Sequence, residues 1–178
     1  MAKWVTEEAK KREAFFEVDL LDLLDWPLPF YNELVGPSAL KGNYQNAIGK
    51  RWAGKIGEAD GYLVVAPEYN HGYSAVLKNA LDFAYDEWSK KPMAFVSYSA
   101  SSTAGARGVE QLRLVAIELG LAPLQAALHI PGLPRDMATW DGSTDEKLQK
   151  KLDTVLTELA WWAGALKTAR KVASGPNL

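Results

Sequence analysis

The run Tyr62-Leu63-Val64-Val65-Ala66, then Pro67-Glu68-Tyr69-Asn70-His71-Gly72-Tyr73, then Ser74 to Asp82, reads as a strand, a turn and a helix in immediate succession. An unbroken apolar run of this length suits a strand covered on both faces, as in a parallel sheet. Proline, asparagine and glycine mark the turn, and Ser74 is placed to cap a helix from about Ala75 to Tyr85. Toward the C-terminus the alternation repeats. Pro92 to Tyr98 reads as a buried strand, Ser99 to Gly105 as a loop of small residues, Arg107 to Leu119 as a helix stopped by Gly120, and Leu124 to Ile130 as a last strand. Thr144 is the expected cap of a final helix carrying Leu148, Leu152, Leu156, Leu159 and Leu166 and running to Val172. Toward the N-terminus, Ile48, Trp52, Ile56 and Ala59 recur at helical spacing. Phe16, Val18 and Leu20 alternate with charged residues like a half-exposed edge strand, and Ala2 to Arg12 look helical.

Strands alternating with helices imply parallel pairing through right-handed crossovers, hence a doubly wound α/β layer. The 178 residues fit a single domain spanning 1–178. Net charge is −2 with both signs scattered, which argues against nucleic acid as a partner. There is no cysteine, so disulfides, thiol nucleophiles and thiolate metal sites are ruled out, and a reducing cytoplasm is the expected location. No apolar run approaches the roughly 20 residues of a membrane span. The glycine patterns of dehydrogenases, P-loop nucleotidases and α/β-hydrolases are all absent.

Parallel α/β sheets bind ligands at the carboxyl edge, in the loops that follow the strands. Two such loops stand out: Pro67-Glu68-Tyr69-Asn70-His71-Gly72 and Ser99-Ala100-Ser101-Ser102. Pro67-Glu68-Tyr69-Asn70 followed by Lys78-Asn79-Ala80-Leu81-Asp82 resembles the signature of the NADPH-dependent FMN reductase family, whose members include quinone, chromate and azo-dye reductases. Ala59-Asp60-Gly61-Tyr62 and Gly105-Ala106-Arg107 with Glu110-Gln111-Leu112-Arg113 extend the resemblance from about residue 3 to residue 170.

The resemblance implies a flavodoxin-like sheet with FMN lying across its carboxyl edge. Pro67, Glu68, Tyr69, Asn70, His71 and Gly72 would flank the ring and ribityl chain, and Ser99, Ala100, Ser101 and Ser102 would frame its other edge. It also implies NADPH or NADH as donor, a small-molecule electron acceptor, and a homodimer or homotetramer. Relatives usually carry glycines where Ser99, Ala100 and Ser101 stand here. Because hydride chemistry belongs to the cofactor, no catalytic side chain is nominated.

Tyr69 and Tyr98 are read as core or rim residues more readily than as flavin contacts, His71 as an exposed loop residue, and His129 as a satisfied core residue. Two histidines so far apart give no metal-site spacing. Arg107 and Arg113 read equally as contacts to a nicotinamide phosphate or as ion-pair partners. Met137 and Trp140 read equally as a flavin cap in a partner subunit or as interface residues. Trp161 and Trp162 are expected to pack.

In relatives a hydrophobic strand and a phosphate-binding loop precede the helix matching Ala2 to Arg12. With Met1 already inside that helix, the central first strand and its loop are expected to be missing, the working protein to start further upstream, and this form to hold FMN weakly or not at all. The alternative expectation is a non-catalytic flavodoxin-like module acting as an interaction or ligand-binding domain.

Overall fold

A computed structural model describes residues 1–12, 14, 17–133, 140 and 142–173. Strands β1 (Tyr62–Pro67), β2 (Pro92–Tyr98) and β3 (Ala122–Ile130) pair in parallel in that order, aligning Pro67 with Tyr98 and Tyr98 with Ile130. Helices α1 (Ala2–Lys10), α2 (Pro37–Leu40), α3 (Ala47–Glu58), α4 (Ala75–Asp82), α5 (Ala106–Glu118) and α6 (Glu146–Ala173) complete the α/β layer.

The central strand shows why both faces are covered. Met93 and Phe95 project into one cluster with Trp52, Ile56, Leu81, Val109 and Leu112 of α3, α4 and α5. Ala94 and Val96 project the other way, against Val5 of α1 and Leu152, Val155 and Leu156 of α6. Period-two alternation with apolar residues at every position therefore yields a doubly wound sheet.

The string Lys78-Asn79-Ala80-Leu81-Asp82 is largely architectural. Lys78 pairs with Asp82 at 2.7 Å one helical turn away, and the Ala80 carbonyl accepts from the Trp52 indole at 2.7 Å. The Asn79 amide donates to the Pro29 carbonyl and its oxygen accepts from the Tyr31 amide, fastening the long N-terminal loop to α4.

Three expectations need correction. No strand forms at Glu17–Leu20, and Phe16 lies outside the described residues. Val18 packs on the α6 side whereas Leu21, Leu23 and Trp26 pack on the α3 side, so this segment crosses the layer and does not run along it. A crossing chain cannot form a ladder, whatever its alternation. The cap of α6 is Asp145, whose carboxylate accepts from the Lys147 and Leu148 amides at 2.9 and 3.1 Å; Thr144 ends the 3₁₀ turn before it. Trp161 and Trp162 are 66% and 37% exposed, because the buried stripe of α6 runs through Leu152, Val155, Leu156 and Leu159 and the indoles fall off it. At about 1.5 Å per residue α6 is about 42 Å long. Its last turns are clasped to the amino edge of the sheet, with Arg170 donating to the Lys90 carbonyl and pairing with Asp60, both at 2.7 Å. Among the described residues no helix is long and apolar enough to cross a membrane.

Beneath that edge Lys91 is 7% exposed, its ammonium donating to the Ile56 and Gly57 carbonyls at 3.3 and 2.9 Å and to the Tyr62 hydroxyl at 3.1 Å. Burial, reinforced by Arg170, lowers this amine to about 8. The unfolded chain keeps that proton to higher pH, so stability should rise as pH climbs from about 8 toward 10. Tyr44 and Tyr62 are pushed up, chiefly by burial, so their ionisation in the unfolded chain should reverse the gain above about pH 10. Denaturant unfolding across this range checks both limbs, and Lys91→Met should flatten the first.

Candidate functional site

The register of the sheet delivers the ends of all three strands to one edge. There the two loops singled out in the sequence meet. The Glu68 amide donates to the Tyr98 carbonyl at 3.1 Å, and the Ser99 amide donates to the Ile130 carbonyl at 3.3 Å. The turns after β1 and β2 are thus bonded to neighbouring strand ends and lie side by side.

The first turn is a tight hairpin. Tyr69 and Gly72 exchange both backbone hydrogen bonds at 2.9 Å, and the two residues between them, Asn70 and His71, sit at φ 49° and 67°. Two consecutive left-handed residues make a type I′ turn. Asparagine and histidine are among the non-glycine residues found most often in that conformation, which still carries steric strain. Such strain persists only where the surroundings fix it. Here Gln111 of α5 donates to the His71 carbonyl at 2.8 Å, and Gly108 lets α5 approach the Gly72 carbonyl so closely that an added Cβ would lie 3.3 Å from it.

Glu68 is turned inward. Its side chain is only 6% exposed, accepts from the Arg107 amide at 3.2 Å, and lies 3.5 Å from the Arg107 guanidinium. A carboxylate at the N-terminus of α5 is favoured by the free amides and the helix dipole. This contact locks the first turn to the helix that follows the second. Of the two readings for Arg107, the structure shows the ion pair. Arg113 donates to the Gln125 carbonyl at 3.0 Å on β3.

The second turn is short of backbone partners. Among the described residues, the amides of Ala100, Ser101, Ser102 and Thr103 have no intramolecular acceptor, while Ala104 and Ala106 donate to Ser101 and Thr103 carbonyls. Hydroxyls of Ser99, Ser101 and Thr103 form a chain at 2.9 and 2.6 Å. Ala104 and Gly105 are left-handed, at φ 56° and 86°, and a Cβ on Gly105 would lie 2.7 Å from the Ser97 Cβ. The turn therefore presses directly on the end of β2.

Of the nominated residues, Tyr69, Asn70, His71, Ala100, Ser101 and Ser102 are exposed at this edge; Pro67, Gly72 and Ser99 are half-buried behind them. Tyr98 is half-buried next to Tyr69, and burial raises its phenol above the ordinary range, with Tyr69 adding to the effect. Trp140 packs edge-on against Trp4 at 5.5 Å, and Met137 lies outside the described residues. No group of three His, Cys, Asp or Glu poised for a metal occurs among the described residues. Two surface hollows, of about 390 Å³ beside Trp161 and Trp162 and about 220 Å³ beside His129, are lined by no residue of either turn. Sequence reading missed the inward turn of Glu68 and the role of Ser97, because each depends on a partner from another loop or strand.

What this edge offers is an open shelf with amides unpaired among the described residues and a chain of hydroxyls on one side and an exposed tyrosine on the other. A planar ring with carbonyl and imine acceptors along one edge, such as an isoalloxazine, fits that donor set.

The sequence profile of the NADPH-dependent FMN reductase family matches residues 1–132. An NAD(P)H-dependent FMN reductase of Schizosaccharomyces pombe is 41% identical over 133 residues, covering 74% of this chain and 65% of that protein. The chain thus spans just under two thirds of that relative's length. An NAD(P)H-dependent FMN reductase of a Nectria species is 35% identical over 154 residues, covering 83% of this chain and 76% of the other. The solved structure of FerB, an NAD(P)H:(acceptor) oxidoreductase from Paracoccus denitrificans, superposes with a TM-score of 0.72 over 93% of this chain and 90% of its own, at 23% identity. That likeness establishes a flavodoxin-like fold.

Gly105→Ala should cost about 2–4 kcal/mol, from the left-handed backbone plus the overlap with Ser97 and Tyr98. Gly132→Ala, left-handed but in open space, should cost about 1 kcal/mol. Equilibrium unfolding of the two variants measures the difference.

Proposed function

Because the chain belongs to the NADPH-dependent FMN reductase family, we propose that it is an FMN-dependent NAD(P)H oxidoreductase whose flavin lies on the shelf between Pro67–Gly72 and Ser99–Ser102. The single observation that carries this placement is the row of amides from Ala100 to Thr103, unpaired among the described residues and held beside the Tyr69 hairpin by parallel pairing of β1 and β2. When bound, FMN would supply the transfer of hydride from the nicotinamide and of electrons to a quinone, metal ion, azo compound or free flavin.

The chain's own part is positioning. The amides of Ala100, Ser101 and Ser102 would hold the ring by donating to its acceptors, a donor set that would favour the more negative, reduced form of the flavin. Tyr69 provides an aromatic face at the rim, and the Asn70–His71 turn holds it there. Glu68 acts through its shielded carboxylate, which accepts from the Arg107 amide and pairs with the half-exposed Arg107 guanidinium, keeping the two loops at fixed separation. No side chain here needs to give or take a proton, and the exposed shelf leaves room for donor and acceptor to occupy the same place in turn. A cytoplasmic setting and a homo-oligomer complete this reading; the cysteine-free composition supports the first.

The test is spectroscopic. Protein titrated with FMN should bind it saturably, even if weakly, and the complex should show the blue absorption of the oxidised flavin and bleach with NADPH or NADH in the absence of oxygen. A protein with no saturable binding would instead favour a non-catalytic module. Tyr69→Ala should weaken FMN binding by about three- to tenfold, the loss of one aromatic contact, while leaving stability within about 0.5 kcal/mol because Tyr69 is 62% exposed. FMN titration and thermal unfolding of the variant separate the two effects.

A further inference from the structure

Beneath the second turn lies a polar pair, a buried serine and a half-buried histidine, to which no role has been assigned so far. Ser97, in the last turn-ward half of β2, is 2% exposed. Its hydroxyl donates to the Ala104 carbonyl at 2.8 Å and lies 2.6 Å from Nδ1 of His129 on β3. A hydroxyl has one proton to give and a carbonyl can only accept. Both contacts are therefore satisfied only if His129 carries its proton on Nδ1 and donates to Ser97. That directs a chain from Nδ1–H of His129 to Oγ–H of Ser97 to the Ala104 carbonyl, and leaves Nε2 bare.

We propose that His129, acting through Ser97, is a positioning residue that holds the 99–105 turn in the shape that presents its free amides. The proposal rests on the flavin reading above for its purpose, but not for its geometry. Ala104 is 4% exposed, so its carbonyl has little access to water if Ser97 lets go. Ala104 and Gly105 are also the two left-handed residues of the turn. With Gly105 seated against Ser97, the hydroxyl fixes the one carbonyl whose rotation would release both.

The surroundings disfavour the charged ring, although the Nδ1 donor is present in either charge state. Arg113 and Glu110 of α5 and Lys151 of α6 face it. Burial first, then Arg113 and Lys151, lower its pKa, with Glu110 opposing. Protonation would add a hydrogen at Nε2 and leave the Nδ1 donor in place.

The test uses the full chain without FMN. Nitrogen-15 spectra of the imidazole should show the Nδ1–H tautomer. Ser97→Ala and His129→Leu should speed hydrogen exchange at the Ala104 and Ala106 amides by about tenfold or more, while sheet amides such as Val65 keep their rates. His129→Asn, whose Nδ2 reproduces the Nδ1 donor, should return exchange to within about threefold of the parent, whereas His129→Gln should not. An Nε2–H tautomer in the parent overturns the proposal even if a variant fails to fold. So does an Asn variant as fast as the Leu variant, or a turn indifferent to all four changes. FMN titration of the same proteins separates this from the flavin reading. A chain with the exchange pattern but no FMN affinity refutes only the latter, and a yellow chain without the pattern refutes only the relay.

Discussion

Parallel registry across three strands is the constraint from which the rest follows. Because Pro67, Tyr98 and Ile130 stand in line, the chain leaves the sheet at neighbouring points of the same edge. The loops must turn there whatever their sequence. Hydrophobic side chains on both faces of β2 fix the registry, since a one-residue slip would exchange Phe95 with Val96 between two differently shaped clusters. The shelf is thus a by-product of core packing. Its chemistry is set by which small polar residues the turns contain.

Rigidity at that edge comes from polar groups hidden behind it. Glu68 and Ser97 each reach from one loop or strand end to the backbone of the next segment, and each is nearly excluded from solvent. A buried carboxylate against a helix start and a buried hydroxyl against a carbonyl stay costly to break, because neither released group would readily find water. The side chains in front of them, Tyr69 to His71 and Ala100 to Ser102, stand exposed at the edge, while their backbone groups share in holding the turns.

Much of this was legible in the residues. Apolar runs marked all three strands, and β2 spans Pro92–Tyr98 as expected, because a doubly covered strand needs apolar side chains at every position. The two loops were visible as clusters of turn-forming and small residues. What escaped was anything decided by a distant partner. Alternation at Phe16 to Leu20 looks the same whether a chain lies along a sheet or crosses its flank, and only tertiary contacts tell these apart. Glu68 reads as one more polar residue in a ligand loop until Arg107, 39 positions on, is seen to receive it. His129 was legible as satisfied, but not by what.

The crossing of residues 17–31 bears on how the molecule behaves in company. Strand β1 has a ladder partner on one side only among the described residues, and Tyr62 to Val65 are half-buried. Val18 packs with the cluster on one face of the sheet and Leu21 with the cluster on the other, and among the described residues no second strand pairs with the outer side of β1. Unsaturated edges are where folded proteins template one another into aggregates. Concentrated solutions of this chain therefore depend on that short apolar strap staying in place.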